Sequence, residues 1–189
     1  MIDVGANEGL YTLLFVEMGA TVISFEPDQT ASQRLRFNLA LNGYEADARE
    51  QAVYSSSGTV SLSSDRDTSI AIVDVSSDTH KMVTVSTTTI DDLVGDRHVR
   101  GIKVDVEGAE LDVLCGDQRT MRDGRIGFFQ LEWNDKAEDF GTSRSEIVEF
   151  IRSFGYSLCW PLDSGAFALC DDDIGSDVVA VRQAVSDES

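Results

Sequence analysis

The chain has 189 residues, with 34 acidic against 15 basic side chains, a formal net charge of −19, and three lysines, Lys81, Lys103 and Lys136. That length suits one domain with a sizeable core and is short for two, and a surface of that sign repels nucleic acid and anionic membranes. Charge so far from zero matches the habit of proteins from a high-salt cytoplasm, where screening removes self-repulsion, so an acidic, halophilic, cytoplasmic protein is expected. Cys115, Cys159 and Cys170 form no C-x-x-C pair and follow no signal peptide, so they read as buried thiols in a reducing cell. His80 and His98 have no soft ligand at a metal-site spacing, and no metal is expected. No apolar run approaches the roughly 18 residues of a membrane helix.

In chain order, Ile2-Asp3-Val4 reads as a buried strand that runs into the turn Gly5-Ala6-Asn7-Glu8-Gly9 and then a helix. Gly5 and Gly9 allow positive φ and close approach of a ligand, and the helix aims free N–H groups at it. The pattern is D-x-G-x-N-x-G, whereas a pyrophosphate-binding fingerprint requires G-x-G-x-x-G. Asn7 takes the second glycine position, and Asp3 and Glu8 add negative charge. S-adenosyl-L-methionine, a cationic sulfonium without phosphate, suits that turn better than NAD.

Leu10, Leu13 and Leu14 are expected to give the following helix an apolar face, with a stop at Gly19. A second strand, Thr21 to Phe25, ends in Glu26, which lies 17 residues after Gly9. An acidic residue about 20 residues on is placed to reach a ribose diol, a feature that adenosylmethionine and NAD share. Thr30-x-x-Gln33 is expected to cap a helix carrying Leu35 and Leu39 and ending at Asn42-Gly43. Strand three is expected within Asp47 to Val53.

From Tyr54 to Ser86 the composition predicts hairpin-like edge strands around Thr59 to Leu62 and Val83 to Val85. Ser63 to Thr68 reads as a polar linker or a loop over the site, and Thr89 to Val94 as a short helix. In Gly101-Ile-Lys-Val-Asp-Val-Glu-Gly-Ala-Glu110, a period of two puts Lys103, Asp105 and Glu107 on one face and Ile102, Val104 and Val106 on the other. The competing reading is an edge strand with a wet face. Ala109 to Cys115 reads as a helix, and Arg125 to Trp133 as a strand ending in Glu132. Ser143-x-x-Glu146 reads as the capping box of a helix closed by Gly155. Strands follow at Tyr156 to Trp160, Ala166 to Cys170 and Val178 to Arg182. Residues 1–185 form one domain in this reading, with a disordered acidic tail at 186–189.

Alternating strands and helices predict an α/β, doubly wound, mostly parallel sheet whose ligands lie beyond the strand carboxyl ends. Asn7, Glu26, Asp105 and Glu132 all fall at such ends.

Asp3-Val-Gly-Ala-Asn-Glu-Gly, Phe25-Glu-Pro27, Asn38-Leu-Ala-Leu-Asn-Gly43 and Lys103-Val-Asp-Val-Glu-Gly-Ala-Glu-Leu-Asp-Val-Leu114 resemble the FkbM-type methyltransferases, over about residues 2 to 133. The resemblance implies the Rossmann-like class I methyltransferase fold, a seven-stranded sheet with an antiparallel last strand and helices on both faces. It also implies S-adenosyl-L-methionine as cofactor and O-methylation of a hydroxyl on a sugar, glycan or natural product. Asp3, Gly5, Asn7 and Gly9 would hold the methionine moiety, Glu26 the ribose, and Glu50 and Gln51 the adenine. Asp105 and Glu107 would face the methyl group and the acceptor, one of them taking the hydroxyl proton, and Lys103 would neutralise both. Two departures stand out: the chain starts almost at strand one, where family members carry a covering segment, as if truncated, and Cys115 stands where lysine is expected. The alternatives are a nucleoside-binding module without turnover and, less favoured, an NAD-dependent oxidoreductase. Expected partners are a small-molecule or glycan acceptor and a second copy of the chain, with neither nucleic acid nor membrane.

Overall fold

All three residues of β1 (Ile2–Val4) are buried, as a strand covered on both faces requires. The computed structural model describes residues 1–64, 70–72, 81–132, 142–161, 167–170 and 177–182. Among these, β1 pairs in parallel with β2 (Ile23–Phe25) on one side and β8 (Val99–Val104) on the other. β3 (Asp47–Arg49) extends the sheet beyond β2, and β9 (Ile126–Glu132) extends it beyond β8, both in parallel. β12 (Asp177–Arg182) runs antiparallel to β9, then β10 (Tyr156–Pro161) and β11 (Phe167–Leu169) follow, each antiparallel to its neighbour. The order is β11-β10-β12-β9-β8-β1-β2-β3. The sheet has eight strands among the described residues, not seven, because β11 adds a hairpin edge to β10. The last strand in sequence is antiparallel to its neighbours, as expected.

From β1 the chain steps to β2 and β3 through α1 (Leu10–Glu17) and α2 (Gln29–Leu41). From β8 it steps the opposite way, to β9, through α4 (Glu110–Cys115) and α5 (Gln118–Arg122). Right-handed crossovers in opposite directions place these helices on opposite faces, and the switch falls between β1 and β8, where such sheets bind ligands. The sequence pattern had not indicated α5.

Between these halves, β4 (Ala52–Val53), β5 (Gly58–Ser64), β6 (Ile70–Ile72) and β7 (Lys81–Thr88) form a second sheet in the order β4-β7-β5-β6. The predicted third strand is therefore broken at Glu50-Gln51, its halves belonging to different sheets. Most of the polar loop expected at Ser63 to Thr68 lies outside the described residues, as does the tail at 186–189; Ser63 and Ser64 belong to β5. α3 (Ile90–Val94) is capped by Thr89, and α6 (Arg144–Ser153) by the predicted box of Ser143 and Glu146.

The core centres on β1, β8 and β9, with Ile102, Val104, Ile126, Phe129 and Leu131 at most 1% exposed. Burial of each such side chain stabilises by about 1.5–3 kcal/mol.

Three local expectations are corrected. The fully buried residue of α1 is Thr12; of the three leucines expected to face the core, Leu13 packs against Ala6, Leu35 and Leu39, whereas Leu10 is 76% and Leu14 45% exposed. The cause lies in β1, whose α1-facing side chain is the buried carboxylate Asp3; Thr12 Oγ1 donates to it at 2.6 Å and lies 2.8 Å from Ser24 Oγ. An apolar stripe there would have left that carboxylate without the hydrogen bond that its burial calls for. α2 is capped by Asp28, which accepts from the Ala31 N–H, and not by Thr30. β8 ends at Val104, so strand alternation does not reach Glu107, whose φ is 56°.

Candidate active site

Two strand ends meet at the switch point through the absence of a side chain. A Cβ on Gly5 (φ +75°) would lie 1.7 Å from the carbonyl oxygen of Asp105, so β1 and β8 approach this closely only with glycine there. Gly9 (φ +97°) serves similarly at the start of α1, where a Cβ would meet Leu35 of α2 at 2.4 Å. Between them Asn7 adopts φ 50°, a left-handed conformation that asparagine tolerates.

A cleft of about 310 Å³ opens beside these strand ends, within the size range of small-ligand sites. Val4, Phe25, Pro27, Val53, Leu62 and Val106 supply apolar wall, and Glu26, Asp105, Glu107 and Glu132 supply carboxylates; among the described residues, no lysine, arginine or histidine lines it. Glu26 is 7% exposed and holds the turn together. Its Oε2 accepts from the Asn7 N–H and its Oε1 from the Asp28 N–H, both at 2.8 Å. Burial raises its carboxyl pKa, against the pull of those two N–H groups.

Lys103 is 4% exposed and stands opposite Asp3 in the β1–β8 register. Its Nζ donates to Asp105 Oδ2 at 2.8 Å, lies 3.9 Å from Asp3 Oδ1 and sits 4.6 Å over the ring of Tyr11. The ion pairs of Lys103 are thus to Asp105 and Asp3, whereas Asp105 and Glu107 were the expected partners. Burial raises the Asp3 pKa, which Lys103 and the Thr12 hydroxyl oppose.

The structure brings Gly5, Asn7, Glu26, Gln51, Asp105, Glu107 and Glu132 to one cleft. Asp3 lies beneath it, fully buried, and Gly9 is buried at the start of α1. Glu50 is exposed and 3.8 Å from Arg36, so the break in strand three turns Gln51 alone into the cleft. Three contributors were not foreseen. Glu110, 3% exposed, accepts from the Gly108 N–H at 3.1 Å and fastens the turn that carries Glu107. Tyr11 covers Lys103. Leu62 arrives from the second sheet, and its alternation with Val60 was the available signal. Among the described residues, no three His, Cys, Asp or Glu side chains are grouped so that they could hold a metal ion, and no helix is long and apolar enough to cross a membrane.

Residues 3–158 match the family described as the methyltransferase FkbM domain. The chain belongs to this family. Among solved structures it is similar to the FkbM methyltransferase of Methylobacillus flagellatus KT, with 19% identity and a TM-score of 0.61, covering 96% of this chain and 42% of that one. It is also similar to a T. thermophilus 16S rRNA N2 methyltransferase in complex with AdoMet and guanosine, with 14% identity, a TM-score of 0.50, and 96% and 37% of the two chains covered. A ribosomal protein methylase from Lactobacillus delbrueckii subsp. bulgaricus gives 12% identity, a TM-score of 0.50, and 96% and 69% coverage. No curated protein matches the chain. At these identities the structures establish the fold, that of the Rossmann-like class I methyltransferases. The chain spans 42% and 37% of the first two.

Within the FkbM frame, the long motif Lys103 to Leu114 provides the end of β8, the turn with Glu107 and Glu110, and helix α4. The neighbouring Cys115 ends α4 and is partly exposed.

Proposed function

We propose that this FkbM-family chain transfers a methyl group from S-adenosyl-L-methionine to a hydroxyl of a sugar, glycan or natural-product acceptor. The observation that carries the reading is the cleft at the β1–β8 switch, apolar on one wall, lined by four carboxylates and, among the described residues, by no basic side chain. A pyrophosphate would meet four carboxylates there and, among the described residues, no positive side chain, which disfavours NAD; a ligand without phosphate, carrying a sulfonium, suits the charge. Each Glu26 oxygen accepts one N–H and keeps a lone pair for a ribose hydroxyl. The apolar wall around Phe25, Pro27, Val53 and Leu62 suits a purine, with Gln51 at its edge. The fold neighbour in complex with AdoMet supports the same choice.

When bound, adenosylmethionine supplies an electrophilic methyl group. The protein contributes alignment, an in-line approach being worth several kcal/mol, together with proton removal. Glu107, held at the lip of the cleft by its left-handed turn, takes the proton from the acceptor hydroxyl. Asp105, oriented by Lys103, holds the cofactor beside it.

The deciding experiment is calorimetric titration with adenosylhomocysteine and, separately, NAD. Binding of the first and not the second is expected. Tighter binding of NAD overturns the reading. Binding of adenosylhomocysteine with no transfer to any hydroxylated acceptor would leave a nucleoside-binding module.

A further inference from the structure

A second cavity, of about 290 Å³, lies on the α1 face of the same turn, and Gly5, Asn7 and Asp105 line both. Its remaining walls are Ala6, Glu8, Leu10, Tyr11 and Lys103. Lys103 is the unusual member. It is a buried ammonium with three N–H donors, and among the described residues Asp105 Oδ2 is its one hydrogen-bond acceptor. Asp3 Oδ1, at 3.9 Å, is beyond hydrogen-bond reach and is itself buried without a hydrogen-bond partner among the described residues. The Tyr11 ring occupies one further side of the ammonium. A buried cation with unmet donors, facing a cavity, calls for an anionic oxygen.

The cavity does not favour a phosphate, because Asp105 and Glu8 stand in the same wall. One negative and one positive group side by side, the ends of an α-amino acid, match lysine and carboxylate together. We infer that Lys103 reads the carboxylate of the cofactor's amino-acid end, seated in the α1-side cavity with its ammonium toward Asp105 and Glu8. Lys103 is then a specificity-determining residue, and the two cavities form one site, nucleoside at Glu26 and amino acid at Lys103. The inference rests on the cofactor reading above, and its test separates the two.

Wild-type protein is titrated with adenosylhomocysteine and with methylthioadenosine, which keeps the nucleoside and thioether and lacks the amino acid. Adenosylhomocysteine is expected to bind roughly 100-fold more tightly, the worth of one or two charge-assisted hydrogen bonds. Equal affinities overturn the inference and leave the cofactor reading standing; binding of neither overturns both. Lys103→Met is expected to reduce the ratio to below about 10-fold while methylthioadenosine binds as before, and Lys103→Arg to restore part of it. A ratio unchanged in a Lys103→Met protein that still binds methylthioadenosine overturns the assignment to Lys103. Where Lys103→Met does not fold, the wild-type comparison and Lys103→Arg decide.

Discussion

Glu26 has two tasks, and removing its carboxylate separates them. Its oxygens satisfy the backbone N–H groups of Asn7 and Asp28 at 2.8 Å each, and in the proposed complex they also accept from the ribose. Glu26→Ala leaves both N–H groups without their acceptor. A buried donor left unmet costs about 1–3 kcal/mol, but Asn7 is exposed and water replaces some of that bond. A loss of stability on the order of 1–3 kcal/mol is therefore expected, read as a lowered melting temperature. Cofactor affinity should fall by a further 1.5–3 kcal/mol or so, about 10- to 150-fold. Glu26→Gln keeps one acceptor oxygen and turns an NH₂ toward the other N–H, so its stability should lie between wild type and alanine. Calorimetric titration with adenosylhomocysteine alongside thermal melts measures both. An alanine variant that binds within twofold of wild type would place the ribose elsewhere, and unchanged melting would mean that Glu26 does not hold the turn.

Further substitutions divide the site and the scaffold. Asp105→Asn should weaken adenosylhomocysteine binding, whereas Glu107→Gln should leave it nearly intact and lower turnover by about 10² to 10⁴, the usual loss for a general base; full turnover by Glu107→Gln in a methyl-transfer assay would move the base to Glu132. Away from the cleft, Asp117 is fully buried, and burial with the neighbouring Asp91 carboxylate raises its pKa to about 9. Thr120 Oγ1 contacts both Asp91 Oδ1 and Asp117 Oδ1 and has a single proton to donate, so a protonated Asp117 makes hydrogen bonds of both contacts. The folded state thus keeps a proton that the unfolded chain releases near pH 4. Its contribution to stability is complete below that pH and is lost as pH rises toward 9. Asp117→Asn, which supplies a permanent donor, should flatten the fall in melting temperature between pH 5 and 9, roughly the window between the two pKa values; an unchanged slope would refute the assignment. Finally, 19 net negative charges repel one another unless screened, so the melting temperature should rise between low and molar potassium chloride, and a flat or falling profile would remove the halophilic reading.

The elements that set the switch point were legible because their sequence obeys two rules at once. β1 and β8 are apolar enough to be central, and each carries a charged residue just before its last valine and then runs into a glycine-bearing turn; a surface strand has no need of both. The α6 capping box was legible for a similar reason, since Ser143 and Glu146 act on each other's backbone without outside help. Misreadings came where tertiary context overrode local pattern. On α1, Leu13 packs inward while Leu10 and Leu14 face solvent, because the sheet presents Asp3 to that helix and Thr12 hydrogen-bonds to it. The split of strand three follows from pairing partners that no local signal names: Asp47 to Arg49 add to β2, while Ala52 and Val53 add to β7. Glu110 was overlooked because a carboxylate in the first turn of a helix is ordinary on the surface, and its burial depends on how α4 sits against the site.

β1 and β8 repeat one device side by side. Each buries a charged residue at the same register position, Asp3 opposite Lys103, and each is followed by a left-handed residue, Asn7 or Glu107, at the mouth of the cleft. The buried charges are a poor source of stability, since desolvating an ammonium and a carboxylate costs about as much as their attraction returns, and apolar replacements of similar shape often fold better. Asp3 Oδ1 and the unmet donors of Lys103 mean that, among the described residues, the pair is not even fully satisfied. Apolar residues at both positions would therefore make the strand pair easier to fold while removing the hydrogen bond from Lys103 to Asp105. What the cluster provides is orientation at the switch point, with the Lys103 ammonium set beside a cleft whose charged side chains, among the described residues, are all carboxylates.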